Sequence, residues 1–144
     1  MNGTYRLKSV EKTKDLGERL ARTLQGGEVL CFYGELGAGK TLFIQSIIHF
    51  FLPKKRVLSP TFIIVRHYEI AKKPIHVFYH LDLYRVSGED IPTLGIVDLF
   101  HRPDTIVAIE WADRMGQYLP KKRIDIRMNR INEEERIVTI WKKN

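Results

Sequence analysis

One short stretch, residues 34–41, constrains the fold of this chain more than any other. Its sequence, GELGAGKT, matches the phosphate-binding pattern G-x-x-x-x-G-K-[ST]. The apolar run EVLCFY (28–33) before it predicts a buried strand, and TLFIQSIIHFFL (41–52) after it predicts a helix that ends at Pro53. A strand, a glycine-rich loop and a helix in this order are the context that such a loop requires. The stretch therefore predicts an α/β domain that binds a nucleoside triphosphate.

Each residue type in the loop has a chemical reason. Gly34, Gly37 and Gly39 let backbone N–H groups converge on phosphate oxygens, because glycine tolerates positive φ and has no side chain to block the approach. Amides at the start of the following helix add positive potential. Lys40 would neutralise the β- and γ-phosphates, and the Thr41 hydroxyl would be a ligand of Mg²⁺.

Hydrolysis also needs carboxylates at strand ends, and two acids follow apolar runs: Asp82 in HVFYHLDLYR and Glu110 in TIVAIEW. Either acid by itself is more simply interpreted as a surface carboxylate, whereas the pair, each followed within two residues by an aromatic residue, favours a metal site. Glu110 is the stronger candidate, because an apolar strand that ends in an acid is typical of metal ligation beside a phosphate loop. Thr61, in Ser59-Pro60-Thr61, has two interpretations that the sequence does not separate: the kinked start of a strand, or a switch that senses the γ-phosphate.

The remaining pattern predicts one domain over residues 1–144, with alternating strands and helices. A helix follows Ser9, a suitable N-cap, and helical pieces begin at Ser87. The predicted strands are 28–33, an antiparallel pair at 56–70 and 75–84, a central parallel strand at 105–111, and a hairpin at 123–130 and 136–141. We therefore expect an α/β fold, a P-loop NTPase-type three-layer sandwich whose parallel central sheet is flanked by antiparallel strands.

Composition adds weaker constraints. The chain shows neither a long uncharged apolar run nor a secretory signal, so we expect a soluble, cytoplasmic protein without membrane association. The net charge of +7 favours polyanionic partners, but the basic residues are scattered and are more simply interpreted as solvated loop charges. The five histidines lack metal spacing, and His80 is expected to be packed or hydrogen-bonded. The single cysteine, Cys31, is predicted to be a buried free thiol.

With GELGAGKT, SPTF, HLDLYR, LGIVDLF and IEW in this order, the chain resembles the TsaE (YjeE) family over nearly its whole length. The family consists of small bacterial P-loop ATPases that take part in making the threonylcarbamoyladenosine (t6A) modification of tRNA. The resemblance implies ATP and Mg²⁺ as cofactors, weak ATPase activity alone, and action with the TsaB and TsaD subunits to sustain repeated turnover. It implies contact with tRNA at most indirectly, through that complex.

The resemblance also implies roles for individual residues. It makes Thr41, Glu110 and Asp82 the magnesium-linked residues, Thr61 the switch threonine, and Lys40 a catalytic residue with Thr61 and the two acids. The expected nucleotide-binding residues are the eight of the loop and three outside it: Ser9, Gly34, Glu35, Leu36, Gly37, Ala38, Gly39, Lys40, Thr41, Trp111 and Arg136.

Two departures from the family pattern are visible: Leu42 stands where a second hydroxyl residue is frequent, and Ala112-Asp113 stands where proline and an acid often follow the tryptophan. Other functions also remain open at this level. A small-molecule P-loop kinase would need a lid, for which the stretch around Arg85 is the only candidate. A non-catalytic, nucleotide-controlled adaptor is compatible with the same motifs. Direct RNA binding lacks an aromatic stacking module and is expected to be auxiliary.

Overall fold

A seven-stranded mixed sheet forms the centre of the molecule in the computed structural model, which describes residues 1–60 and 63–144. The strands are β1 Gly3–Leu7, β2 Val29–Tyr33, β3 Val65–Lys72, β4 Ile75–Asp82, β5 Thr105–Glu110, β6 Arg123–Arg130 and β7 Arg136–Lys143. The α-helices are α1 Val10–Thr23 and α2 Lys40–Phe51. Short 3₁₀ helices cover Gly88–Asp90, Pro92–Leu94, Ile96–Leu99 and Ala112–Tyr118. Within the described ranges, no helix is both long and apolar enough to cross a membrane.

The strand order is β1-β7-β6-β2-β5-β4-β3. Its four central strands, β6, β2, β5 and β4, pair in parallel, whereas β3, β7 and β1 pair antiparallel at the margins. The predicted sheet is thus confirmed. Because the carboxyl ends of parallel strands meet at one edge of a sheet, the ends of β2, β4 and β5 lie side by side, and the phosphate-binding loop follows β2 at that edge.

Two apolar clusters pack on the two faces of the sheet and give the predicted three layers. The first cluster joins one face to α1 and α2 through residues such as Leu20, Phe43 and Ile47. The second joins the other face to the 3₁₀ helices through Ile91, Ile96, Met115 and their neighbours. A β-carbon at Gly17 of α1 would lie 1.8 Å from Ser46 Oγ of α2, so the two α-helices pack too closely here for any residue larger than glycine.

Several predicted boundaries were wrong. The strand expected at 56–70 is described as a strand only from Val65 onward. The carbonyl of Pro60 accepts hydrogen bonds from the N–H groups of Ile63 and Ile64, so these N–H groups are not available for pairing with β4. The strand expected at 75–84 ends at Asp82. Two elements were missed: β1, a five-residue edge strand that forms by pairing with β7, and the 3₁₀ helix Ala112–Tyr118. By contrast, the side chain of Ser9 caps α1 and Ser87 begins the first 3₁₀ helix, as predicted.

Candidate functional site

The glycines of the 34–41 loop adopt backbone conformations that other residues rarely adopt. Gly37 and Gly39 have φ values of 81° and 97°, and α2 begins directly after Gly39. At Gly34, with φ of 147°, a β-carbon would lie 2.4 Å from the carbonyl oxygen of Met128 on β6. These conformations bring the loop amides to the start of a helix, which is an arrangement suited to phosphate groups.

Lys40 is the first residue of α2, and its side chain is held by the loop itself. Its ammonium donates hydrogen bonds to the carbonyl of Gly34 and, at 3.0 Å, to that of Glu35. Nζ also lies 4.2 Å from the centroid of the Trp111 ring. Burial lowers the pKa of Lys40 below its ordinary value, and the nearby carboxylates, chiefly Glu110, oppose that shift. The cation is therefore kept in a site of low polarity, where a phosphate would interact with it strongly.

A chain of short hydrogen bonds links α2, β5 and β4. The Thr41 hydroxyl donates to Oε1 of Glu110 at 2.7 Å, and Oε2 of the same carboxylate lies 2.7 Å from Nε2 of His80. Glu110 is 3% exposed and His80 is fully buried. The contact with Glu110 confirms the expectation that His80 is hydrogen-bonded. The two hydrogen bonds leave both oxygens of Glu110 with fixed partners.

Asp82 lies beside Glu110 at the ends of adjacent parallel strands, where the two residues are register partners. Oδ1 of Asp82 accepts a hydrogen bond from the N–H of Tyr84 at 3.0 Å, and its own N–H donates to the carbonyl of Ile64 at 2.8 Å. The segment that follows the predicted switch threonine is thereby tied to Asp82. Thr61 itself lies outside the described residues.

The loop and the two acids face one cavity of about 320 Å³. Its walls are formed by residues 36–42 together with Asp82, Glu110 and Trp111. Gly34 and Glu35 line a second cavity, of about 740 Å³, which shares Trp111 with the first. The structure thus brings most of the predicted site residues to one place, at the carboxyl edge of the sheet.

The donor set in the first cavity fits Mg²⁺. Mg²⁺ prefers oxygen ligands in an octahedron at about 2.0–2.1 Å, so that adjacent ligands lie about 2.9 Å apart. The oxygens of Thr41 and Glu110 are 2.7 Å apart, close to that spacing, and both are already turned toward each other. In the part of the chain that the structure describes, no three His, Cys, Asp or Glu side chains converge as a metal cage. The arrangement suits an ion held jointly by the protein and by nucleotide phosphates.

Two of the predicted nucleotide-binding residues, Arg136 and Ser9, do not line the first cavity. Arg136, at the start of β7, donates from Nε to the carbonyl of Ala38 and from Nη2 to that of Gly37, both at 3.1 Å. The Ser9 side chain accepts from the N–H of Lys12 as the α1 cap, two residues after Leu7, which pairs with Arg136 across β1 and β7. The Arg136 guanidinium therefore contacts the backbone of the loop.

Sequence reasoning missed two features of the site. The link between His80 and Glu110 was not predicted, although the spacing of His80 and Asp82 on one strand puts both side chains on the same face. Tyr84 packs against Trp111, with ring centroids 5.0 Å apart, and this contact closes one wall of the cavity. Trp111 reaches that wall because its backbone is left-handed, with φ of 58°.

Comparison with known proteins shows which family the chain resembles. Residues 7–138 match the family model described as "Threonylcarbamoyl adenosine biosynthesis protein TsaE". The chain is 33% identical over 135 residues to the tRNA threonylcarbamoyladenosine biosynthesis protein TsaE of Bacillus subtilis, covering 94% of this chain and 82% of that protein. It is 32% identical to the TsaE protein of Rickettsia bellii, covering 97% and 95%.

A solved structure shows the same fold. The crystal structure of Bacillus subtilis YdiB superposes with a TM-score of 0.78 at 27% identity, covering 100% of this chain and 87% of that chain. The family match and the structural match both include the loop and the two acids, and the structural match covers the whole chain. The chain therefore belongs to the TsaE family.

Proposed function

We propose that this protein binds Mg·ATP on the 34–41 loop and hydrolyses it slowly, in support of repeated turnover in tRNA threonylcarbamoyladenosine biosynthesis. The observation that carries the proposal is the convergence of Lys40, Thr41 and Glu110 on one cavity at the start of α2. The family description and the names of the relatives support the pathway, since all refer to the biosynthesis of this modification.

Each residue of the site has a role in this proposal. Lys40 neutralises charge on the β- and γ-phosphates, and the loop amides hold the phosphate oxygens. Thr41 and Glu110 would hold Mg²⁺, with Asp82 beside them; the ion would neutralise the phosphate charge that develops in the transition state. Asp82 orients water, and Thr61 senses the γ-phosphate. Trp111 packs against the Lys40 ammonium and excludes solvent from one side of it.

Contacts that Lys40 and Thr41 make within the protein support slow turnover by the isolated chain in this proposal. The ammonium of Lys40 is engaged by two loop carbonyls, and the hydroxyl of Thr41 is engaged by Glu110. Binding of Mg·ATP must exchange these contacts for contacts with phosphate and metal. We propose that the TsaB and TsaD subunits, in the cytoplasm, favour the exchanged arrangement, and that tRNA meets this protein at most through that complex.

The 3₁₀ segment after Arg85 weighs against a small-molecule kinase. A kinase lid has to close over the phosphates and open again. Here Val86, Ile91 and Ile96 are buried in the second apolar cluster, so the candidate lid is anchored to the sheet. The proposal is therefore hydrolysis of ATP by water rather than transfer to a metabolite.

Titration of the partner subunits into an ATPase assay tests whether TsaB and TsaD control the rate of hydrolysis, which we call gating. We expect the hydrolysis rate to rise as TsaB and TsaD approach saturation, because the partners would order the residues that orient water. A rate that stays unchanged or falls at saturation would contradict gating by these partners.

Replacement of Glu110 by alanine separates an ATPase from an adaptor. Glu110→Ala should abolish hydrolysis and limit reconstituted tRNA modification to few turnovers, whereas the exposed Glu69→Ala, a matched acid-to-alanine control on β3, should leave both unchanged. If modification continues over many turnovers without any hydrolysis, the protein is a nucleotide-controlled adaptor and the proposed ATPase role is wrong.

A further inference from the structure

We propose that His80 is a positioning residue that fixes the Glu110 carboxylate for the metal ion. The inference rests on the proposed Mg·ATP site, and it deepens that proposal by assigning the residue that holds the second oxygen of Glu110. His80 would contact neither nucleotide nor metal; it would act through the carboxylate alone.

The first support is geometric. Nε2 of His80 lies 2.7 Å from Oε2 of Glu110, while Oε1 of the same carboxylate is 2.7 Å from the Thr41 hydroxyl. The ring has no solvent exposure and Glu110 has almost none, so water does not compete for the contact between His80 and Glu110. With Oε2 engaged by the ring, Oε1 is the oxygen directed at Thr41 and at the cavity.

Strand register explains why the ring reaches the carboxylate. β4 and β5 are parallel, and His80 is the register partner of Ala108, two residues before Glu110. Residues two apart on a strand point to the same face. The small side chain of Ala108 therefore leaves room for the imidazole to lean along β5 toward Glu110. A larger residue at position 108 would occupy that space.

The second support is the other ring nitrogen. Nδ1 of His80 is buried and is without a hydrogen-bond partner among the described residues. An unpartnered buried polar atom destabilises a fold, so an apolar side chain would serve packing better at this place. The contact with Glu110 requires a proton on Nε2, so the ring is oriented by the carboxylate and by no partner of Nδ1. The imidazole ring thus has one hydrogen-bond partner, the Glu110 carboxylate, which supports a role in orienting that carboxylate.

Two amide variants test the contact with matched chemistry. The side-chain nitrogen of glutamine can replace Nε2 of the ring, whereas that of asparagine is one methylene shorter and does not reach Glu110. His80→Leu removes the polar group altogether. For each variant, calorimetry would measure ATP affinity with Mg²⁺ and with EDTA, and Mg²⁺ titration of the nucleotide-bound protein would give the metal affinity.

We expect the wild-type protein to bind ATP more tightly with Mg²⁺ than with EDTA. His80→Asn and His80→Leu should lose about 10–100-fold in Mg²⁺ affinity, the range typical when the partner of a metal ligand is removed. Their ATP affinity in EDTA should stay close to that of the wild type, since Lys40 and the loop amides are untouched. His80→Gln should recover most of the loss. A purely structural role would instead lower both affinities together.

The outcomes separate this inference from the proposed function. If the wild type binds ATP without any dependence on Mg²⁺, the proposed site fails and the inference fails with it. If the wild type depends on Mg²⁺ and His80→Asn and His80→Leu match it, the inference alone is overturned. If the variants do not fold, long-range ¹H–¹⁵N spectra of the wild type provide the test, because they show which ring nitrogen of His80 carries a proton. A proton on Nε2 supports the contact with Glu110, and a proton on Nδ1 alone overturns it.

Discussion

Arg136 offers the most informative perturbation of the phosphate loop, because its guanidinium reaches the loop from a strand that is distant in sequence. Nε and Nη2 donate to the carbonyls of Ala38 and Gly37, and Nη1 donates to three carbonyls of the turn before β7. Arg136→Met removes the guanidinium and keeps an unbranched apolar stem. Arg56→Met, at an exposed position, is the control for the loss of one positive charge.

The magnitude follows from the five contacts. The guanidinium is partly exposed, and the released carbonyls can bond to water, so each contact contributes about 0.5 kcal/mol rather than the full value of a buried charged hydrogen bond. The total cost is about 2–2.5 kcal/mol, because the two N–H groups of Nη1 share three carbonyls. For a chain of this size each kcal/mol lowers Tm by about 2–4 °C, so Tm should fall by about 4–10 °C. The two loop contacts, together about 1 kcal/mol, should weaken ATP binding about fivefold.

Thermal unfolding of the nucleotide-free protein and calorimetry with Mg·ATP provide the assay. If Arg136 acts by holding the loop, Tm and ATP affinity fall together, and the Arg56→Met control changes neither. A direct contact with nucleotide would instead leave Tm of the free protein unchanged and weaken ATP binding far more than fivefold. Such a result, or a variant with neither effect, would refute the reasoning from the loop carbonyls.

Three further predictions concern single residues. Lys40→Ala should abolish Mg·ATP binding in calorimetry with little change in Tm, because it removes a desolvated cation; retained affinity would contradict the site assignment. Gly34→Ala should cost more than about 2 kcal/mol in urea unfolding, since its β-carbon would meet the Met128 carbonyl at a strained φ; a stable variant would contradict that contact. Burial raises the pKa of Cys31 to about 12, above its ordinary value near 9, so the folded thiol should resist disulfide reagents. Because the pKa is raised by folding, the contribution of Cys31 to the free energy of unfolding should be complete below pH 9 and lost between pH 9 and 12, which unfolding at a series of pH values would measure. Rapid modification of the thiol at pH 8 would contradict its burial.

Much of the fold could be predicted because its signals are local. The spacing of Leu16 and Leu20 predicts the buried face of α1, and the unbroken apolar run before Glu110 predicts a strand covered on both faces. The strand at 56–70 was predicted too long, since its composition favours a strand while the carbonyl of Pro60 accepts hydrogen bonds from the N–H groups of Ile63 and Ile64. β1 was missed because a five-residue edge strand in which only Leu7 is buried has a weak pattern and forms by pairing with β7.

The sequence by itself determined the loop chemistry: glycines, a lysine and a threonine at fixed spacing between a strand and a helix, with an acid at the end of each of two apolar runs. Only the tertiary structure decided how these parts meet, because the decisive contacts join residues far apart in the chain. Thr41 and Glu110 are 69 residues apart, His80 and Glu110 are 30 apart, and Arg136 and Ala38 are 98 apart. Local periodicity carries no information on such pairs. The pairing of β5 with β2 and with β4 brings Thr41 and His80 to Glu110, and the pairing of β6 with β2 and with β7 brings Arg136 to the loop.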